Sequence, residues 1–238
     1  PELPWDTLRE AAHAGTRFVG FSDFTALQLG LLAVHPDTVT WAGPALCEGF
    51  GQKAAGKPGN AVAPGVDEIM LDCLDDMLAG RSEGAGWRLP RSEWELLGAE
   101  TQVLAEDAVL WGGNLAMIVS LLGTPWFPQI HGGVLFLEDV GEHPYRVERM
   151  LLQLLHAGIL AQQQAVVLGQ FTSYGKSAMD RGFSLRAVVD YLRAQTQTPI
   201  LTNLPFGHVP TKVMLPVGAK VDLAINGGEV LLLWGHLH

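Results

Sequence analysis

Phe18-Val19-Gly20-Phe21-Ser22-Asp23-Phe24-Thr25-Ala26-Leu27 is the stretch on which the reading of the chain turns. It opens apolar and β-prone. It then passes at once into a helix-like run, Phe24 to Val34, with Leu27, Leu31 and Val34 at helical spacing. Ser22 stands at the junction. A strand that turns sharply into a helix exposes the serine hydroxyl at the strand's C-terminal end and aims the first free helix N–H groups at whatever the serine attacks. That is the geometry of a nucleophile elbow. Residue 24 is Phe rather than Gly, so the full G-x-S-x-G pattern is absent. A serine at such a junction also serves as an ordinary helix N-cap.

Outward from this stretch, Pro4 to Ala12 reads as a short helix and Val39 to Trp41 as a short strand. Glu48 to Val66 is rich in Gly, Ala and Pro without an apolar period, as in a long functional loop. Asp67 to Leu78 has a helical apolar face. Arg81 to Asp107 is polar and irregular, carries Trp87 and Trp94, leaves room for some strand, and is expected to connect two domains. In the second half Asn114 caps a helix from Leu115 to Leu122. Val134 to Leu137 is an all-apolar strand ending in Glu138-Asp139. Pro144 opens a helix with the stripe Val147, Met150, Leu151, Leu154 and Leu155. Ala165–Leu168, Ile200–Leu201, Val213–Leu215, Lys220–Ala224 and Val230–Trp234 read as strands, with a helix over Ser184–Arg193. Strands alternate with helices, so the class is α/β with a β-rich C-terminal end. The division is a nucleophile-bearing α/β domain over 1–84, a connection over 85–107, and a C-terminal domain over 108–238.

The chain has 238 residues, 48% of them hydrophobic, enough for one large core or two smaller ones. Apolar runs are broken by Gly, Pro or charge before they reach bilayer length, so no membrane partner is expected. A formal net charge of −10 argues against a nucleic-acid partner, which needs a basic footprint. Two cysteines, Cys47 and Cys73, are too few for a disulfide scaffold and point to a reducing compartment, with cytoplasm as the default.

Glu138 closes an apolar strand, where open α/β sheets place their sites. His208 sits in a Pro-Phe-Gly-His turn. With Ser22 they form a set in the order serine, acid, histidine, each with a role: nucleophile, tautomer-fixing carboxylate and base. A competing cluster of His131, Glu138, Asp139, Glu142 and His143 has metal-binding side chains, but its spacing fits no zinc motif. No metal or cofactor is therefore expected.

Four stretches occur in order along nearly the whole chain: Phe18 to Leu27; Gly112-Gly-Asn-Leu115 with Leu122-Gly-Thr-Pro125; Leu135 to Val140 with Pro144-Tyr-Arg146; and Pro205-Phe-Gly-His208. Together they resemble the LD-carboxypeptidases, the family of muramoyltetrapeptide carboxypeptidases and microcin-immunity serine peptidases. The resemblance implies that Ser22 is the nucleophile, Glu138 the acid and His208 the base, with the backbone N–H of Asp23 in the oxyanion hole. It implies an N-terminal parallel-sheet domain bearing the serine, a C-terminal domain bearing acid and base, a homodimer in the cytoplasm, and no metal. It also implies a serine carboxypeptidase that releases terminal D-alanine from murein tetrapeptides in wall recycling. The alternatives are an immunity peptidase acting on a peptidyl-nucleotide antibiotic and a silent module that only binds wall peptides. The family's further N-terminal segment, with an Arg-Gly-Gly-Tyr-type turn, has no counterpart before Ser22. Residues preceding Pro1, or a second chain, are therefore expected to complete the sheet and the oxyanion hole.

Overall fold

The computed structural model describes residues 3–45, 50, 67–97, 101–175 and 178–237. In chain order these form α1 (Trp5–His13), β1 (Val19–Gly20), α2 (Phe24–Val34), β2 (Thr40–Ala42), α3 (Glu68–Leu78), β3 (Gly84–Arg88), α4 (Arg91–Leu97), β4 (Gln102–Asn114), α5 (Leu115–Leu121), β5 (Val134–Val140), α6 (Pro144–His156), β6 (Ala165–Thr172), α7 (Leu185–Gln195), β7 (Ile200–Leu201), β8 (Leu215–Val217), β9 (Lys220–Asn226) and β10 (Glu229–Leu233). The long loop expected over Glu48–Val66 falls, apart from residue 50, outside the described residues.

The fold is α/β, as expected, and is built on two sheets. A small one has the order β1-β2-β8, and a large one the order β3-β10-β9-β4-β5-β6-β7. In the large sheet β4, β5, β6 and β7 run parallel. The successive parallel strands are linked by α5, α6 and α7, since parallel neighbours need a crossover connection. β5 and the first half of β6 are buried on both faces, which is why Val134–Leu137 and Ala165–Leu168 are unbroken apolar runs rather than alternating ones. The apolar stripe of α6 packs on this sheet through buried Val147, Met150, Leu151 and Leu154. Each such side chain contributes about 1.5–3 kcal/mol relative to exposure. The other half of the sheet is antiparallel, with β9 and β10 joined by the two-residue turn Gly227-Gly228. Both of its glycines have positive φ, as a primed hairpin turn requires.

The structure departs from the sequence reading in two places. The polar stretch Arg81–Asp107 carries β3, α4 and the first half of β4, and is built into the large sheet through pairings with β10 and β9. Trp87 is buried there and its indole N–H donates to the Thr202 carbonyl at 3.0 Å. The period of β4 is hidden because its register against β9 shifts between Val103 and Ala105 and again between Ala105 and Ala108. The second departure is β8. It lies two residues later than expected and joins the small sheet antiparallel to β2, so only the β1–β2 pair there is parallel.

Where β4 ends, Gly112 has φ +141°, and a Cβ on it would lie 1.9 Å from the Phe136 carbonyl oxygen of the neighbouring strand. The close approach of β4 to β5 depends on this glycine. Gly112→Ala is expected to destabilise the protein by about 3 kcal/mol or more, from backbone strain and overpacking together. Urea unfolding monitored by circular dichroism measures it.

Candidate active site

The chain enters the elbow through β1 and leaves it through α2. Ser22, between them, has φ +60°. A non-glycine residue in the left-handed region is held there only where its surroundings over-determine it, and such positions gather at functional sites. The first turn of α2 follows directly, with Thr25 N–H donating to the Ser22 carbonyl at 3.0 Å. Asp23, whose backbone N–H opens this turn, lines a surface cleft of about 400 Å³ together with Phe21, Ser22, Phe24 and His208.

Glu138 lies near the carboxyl end of β5, with no solvent exposure. His208 lies in the turn after Phe206, whose carbonyl accepts from Gln170 N–H at 2.8 Å. Gly207 has φ +130°, and a Cβ there would approach a Glu138 carboxylate oxygen to 3.1 Å. The turn therefore passes over the acid only because residue 207 has no side chain. The carbonyl of His208 accepts from the Thr172 hydroxyl at 3.2 Å, which ties the turn to the end of β6.

These three residues, far apart in sequence, form one hydrogen-bonded line. His208 Nδ1 lies 2.9 Å from Glu138 Oε2, and His208 Nε2 lies 3.1 Å from Ser22 Oγ. A carboxylate only accepts, so Nδ1 carries the proton and Nε2 is left to accept from the serine hydroxyl. The hydrogen bond to Glu138 raises the His208 imidazole above its ordinary value; burial and the Lys212 charge oppose it. The His208 ring also packs on the Phe21 ring at 4.8 Å between centroids, and the Lys212 ammonium sits 4.6 Å from the centre of the Phe21 ring.

Three members of the competing cluster have other partners. Glu142 pairs with Arg146 at 2.8 Å and His143 with Asp180 at 3.1 Å, while Asp139 is buried beside Asn114. Among the described residues no group of three or more His, Cys, Asp or Glu is arranged to hold a metal ion.

Sequence reasoning gave Asn114 only a capping role, which it does fill: its side chain accepts from Met117 N–H. The structure adds that its amide also touches both Glu138 and Asp139. Phe21 and Lys212 were not singled out, since an apolar strand residue and a lone lysine carry no local signal. The Gly-Gly-Asn run at a strand end was the available clue for Asn114.

Comparison with known proteins adds the following. A family model for the LD-carboxypeptidase C-terminal domain matches residues 107–223. A putative carboxypeptidase of Synechocystis is 30% identical over 165 residues, covering 66% of this chain and 55% of its own length. The murein tetrapeptide carboxypeptidase of Pseudomonas aeruginosa is 30% identical over 235 residues, covering 95% of this chain and 68% of its own. The microcin C7 self-immunity protein MccF of Escherichia coli is 25% identical over 233 residues, covering 89% and 64%. This chain thus spans 55% to 68% of the length of these three relatives. A crystal structure of a muramoyltetrapeptide carboxypeptidase from Oxalobacter formigenes matches with a TM-score of 0.79 at 36% identity, over 99% of this chain and 73% of that one.

Because the folded protein holds the His208 proton more tightly than the unfolded chain, this group stabilises the fold fully below the unfolded imidazole's value. The contribution is lost as pH rises through the raised value. NMR titration of His208 is expected to give a midpoint above the ordinary imidazole value of about 6.5. Glu138→Gln is expected to lower that midpoint, since a neutral amide cannot stabilise the imidazolium. An unchanged midpoint in Glu138→Gln would show that another group sets it.

Proposed function

Because the chain belongs to the LD-carboxypeptidase family, we propose that it is a serine carboxypeptidase that hydrolyses an L,D-peptide bond and releases terminal D-alanine from murein tetrapeptides in cell-wall recycling. The observation that carries this reading is the hydrogen-bonded line from Ser22 through His208 to Glu138. Its relatives named as murein tetrapeptide carboxypeptidases supply the substrate class.

In the proposed reaction Ser22 Oγ attacks the carbonyl carbon while His208 Nε2 takes the hydroxyl proton. The carbonyl electron pair moves onto oxygen, where the Asp23 N–H at the start of α2 stabilises it. Glu138 holds the imidazole in the reactive tautomer and stabilises its cation. The tetrahedral species collapses with cleavage of the C–N bond, and the Nε2 proton passes to the leaving amine of D-alanine. Water then attacks the ester, His208 takes its proton, and Ser22 Oγ leaves with that proton. No step calls for a metal or cofactor. In this reading residues 1–84 carry the nucleophile, 108–238 form the domain with acid and base, and 85–107 join the two through segments that pair into the large sheet. The protein works as a cytoplasmic homodimer.

A second reading, an immunity peptidase that cleaves a peptidyl-nucleotide antibiotic, is favoured by the similarity to the microcin self-immunity protein. Both readings use the same bond-breaking chemistry and differ in what fills the cleft beyond the scissile amide.

Ser22→Ala and His208→Ala are each expected to lower kcat on a murein tetrapeptide by about 10⁴- to 10⁶-fold while substrate still binds. Retention of more than about a tenth of the rate by Ser22→Ala would rule out the serine mechanism. The wild-type rate should fall on the acid side with an inflection above the ordinary imidazole value, because only neutral His208 acts as base. Preference for a peptidyl-nucleotide over the tetrapeptide in direct competition would favour the second reading.

A further inference from the structure

Glu138 is fully buried, and a buried carboxylate needs a hydrogen bond to each oxygen to hold both its charge and its direction. His208 Nδ1 serves Oε2. The other oxygen, Oε1, accepts from Asn114 Nδ2 at 3.3 Å. Asn114 and Glu138 are direct partners in the parallel β4–β5 pairing, so the contact is set by strand register.

Asn114 is in turn fixed at its backbone N–H and at both ends of its side-chain amide. Its backbone N–H donates to the Thr25 hydroxyl at 3.0 Å, and Thr25 lies one helical turn after Ser22. Its side-chain oxygen accepts from Met117 N–H at 3.1 Å. The second hydrogen of its amide goes to Asp139 Oδ1 at 3.1 Å. Asp139 is buried as well and accepts from Ala116 N–H and Val140 N–H, so it is anchored by backbone rather than by solvent. Burial pushes the Asp139 carboxyl up, and the three hydrogen bonds oppose this. A register irregularity in the β5–β6 pairing, between Leu137 and Asp139, allows two consecutive carboxylates to reach the same amide.

We propose that Asn114 is a positioning residue: clamped by Asp139, Met117 and Thr25, it orients the Glu138 carboxylate so that Oε2 points at His208, an inference that rests on reading Ser22, His208 and Glu138 as the catalytic line. Asn114 acts through its hydrogen bond to Glu138. The same clamp couples the acid to the nucleophile's own helix, because Thr25 belongs to α2.

The test is Asn114→Ser in the intact protein. Serine caps a helix about as well as asparagine and is neutral, but its side chain is too short to reach Oε1. The expected result is a kcat about 10- to 100-fold lower, with KM within about threefold, the size of effect expected from a lost hydrogen bond to a charged partner. In a Glu138→Gln background the same change should alter kcat by less than about twofold, because the two act as a unit. Wild-type kcat in Asn114→Ser, or the full loss repeated on top of Glu138→Gln, would overturn the proposal. Asn114→Asp keeps the shape and the cap but replaces the donor by an acceptor; it should show the same kcat loss if the serine variant does not fold. Independently of turnover, the His208 Nδ1 proton should exchange with water at least about tenfold faster in the variant, as the hydrogen bond loosens. Unchanged exchange would also overturn the proposal. Ser22→Ala run in parallel separates the two claims. Full activity there defeats the serine mechanism, whereas loss there with a wild-type Asn114→Ser defeats only the positioning role.

Discussion

The constraint on which the site depends is the burial of one carboxylate. Glu138 has no exposure to solvent and sits at the end of a strand whose four preceding residues are all apolar. Removing an ionised group from water costs several kcal/mol unless partners replace its hydration. The surrounding structure supplies those partners. His208 approaches one oxygen from a turn that crosses the sheet end, and Asn114 approaches the other from the neighbouring strand. Gly112 lets β4 come close enough for the second contact, and Gly207 lets the turn pass close enough for the first. An apolar residue at 138 would pack more cheaply there. What the carboxylate does there is hold the imidazole by a hydrogen bond and raise it above its ordinary value.

The second requirement is to bring a serine from the small sheet to a histidine held on the large one. Ser22 and His208 are 186 residues apart, yet the chain shortens that distance soon after His208. β8, beginning seven residues later at Leu215, pairs with β2 in the small sheet. The chain then turns at Gly218, whose N–H donates to the Leu110 carbonyl of β4, and β9 continues in the large sheet. The segment after the histidine thus stitches the two sheets together, and Thr25 adds a second stitch from α2 to the end of β4. The Ser22–His208 distance is set by backbone pairing on both sides and not by side-chain packing alone.

Much of this was legible in the sequence because it is local. The elbow, the Pro144 helix and the apolar runs of β5 and β6 each declare themselves through periodicity or a boundary residue. Asn114 as a cap and the Gly227-Gly228 hairpin turn do the same. What could not be read is non-local or irregular. β4 lost its alternation to two register shifts, so its first half, residues 102–107, looked like polar connection. Trp87 and Trp94 stand in an irregular polar stretch, and the carbonyl that receives the Trp87 indole N–H lies far along the chain at Thr202. Asn114 showed its cap, which is a contact three residues away. Its contact to Glu138 exists only once β4 and β5 are in register.

The same geometry limits how strong a base His208 becomes. Glu138 raises it through a direct hydrogen bond, and the charge of Asp139 adds to this from further away. Burial and the Lys212 ammonium work in the opposite direction. The Lys212 ammonium rests over the Phe21 ring, and that ring packs on the imidazole. A general base serves best when its own titration lies near the working pH, strong enough to take the proton but still unprotonated when substrate arrives. The Lys212 charge offsets part of the rise that Glu138 causes. Phe21, immediately before Ser22, therefore makes two contacts at the site: it packs on the His208 imidazole and carries the Lys212 ammonium over its ring.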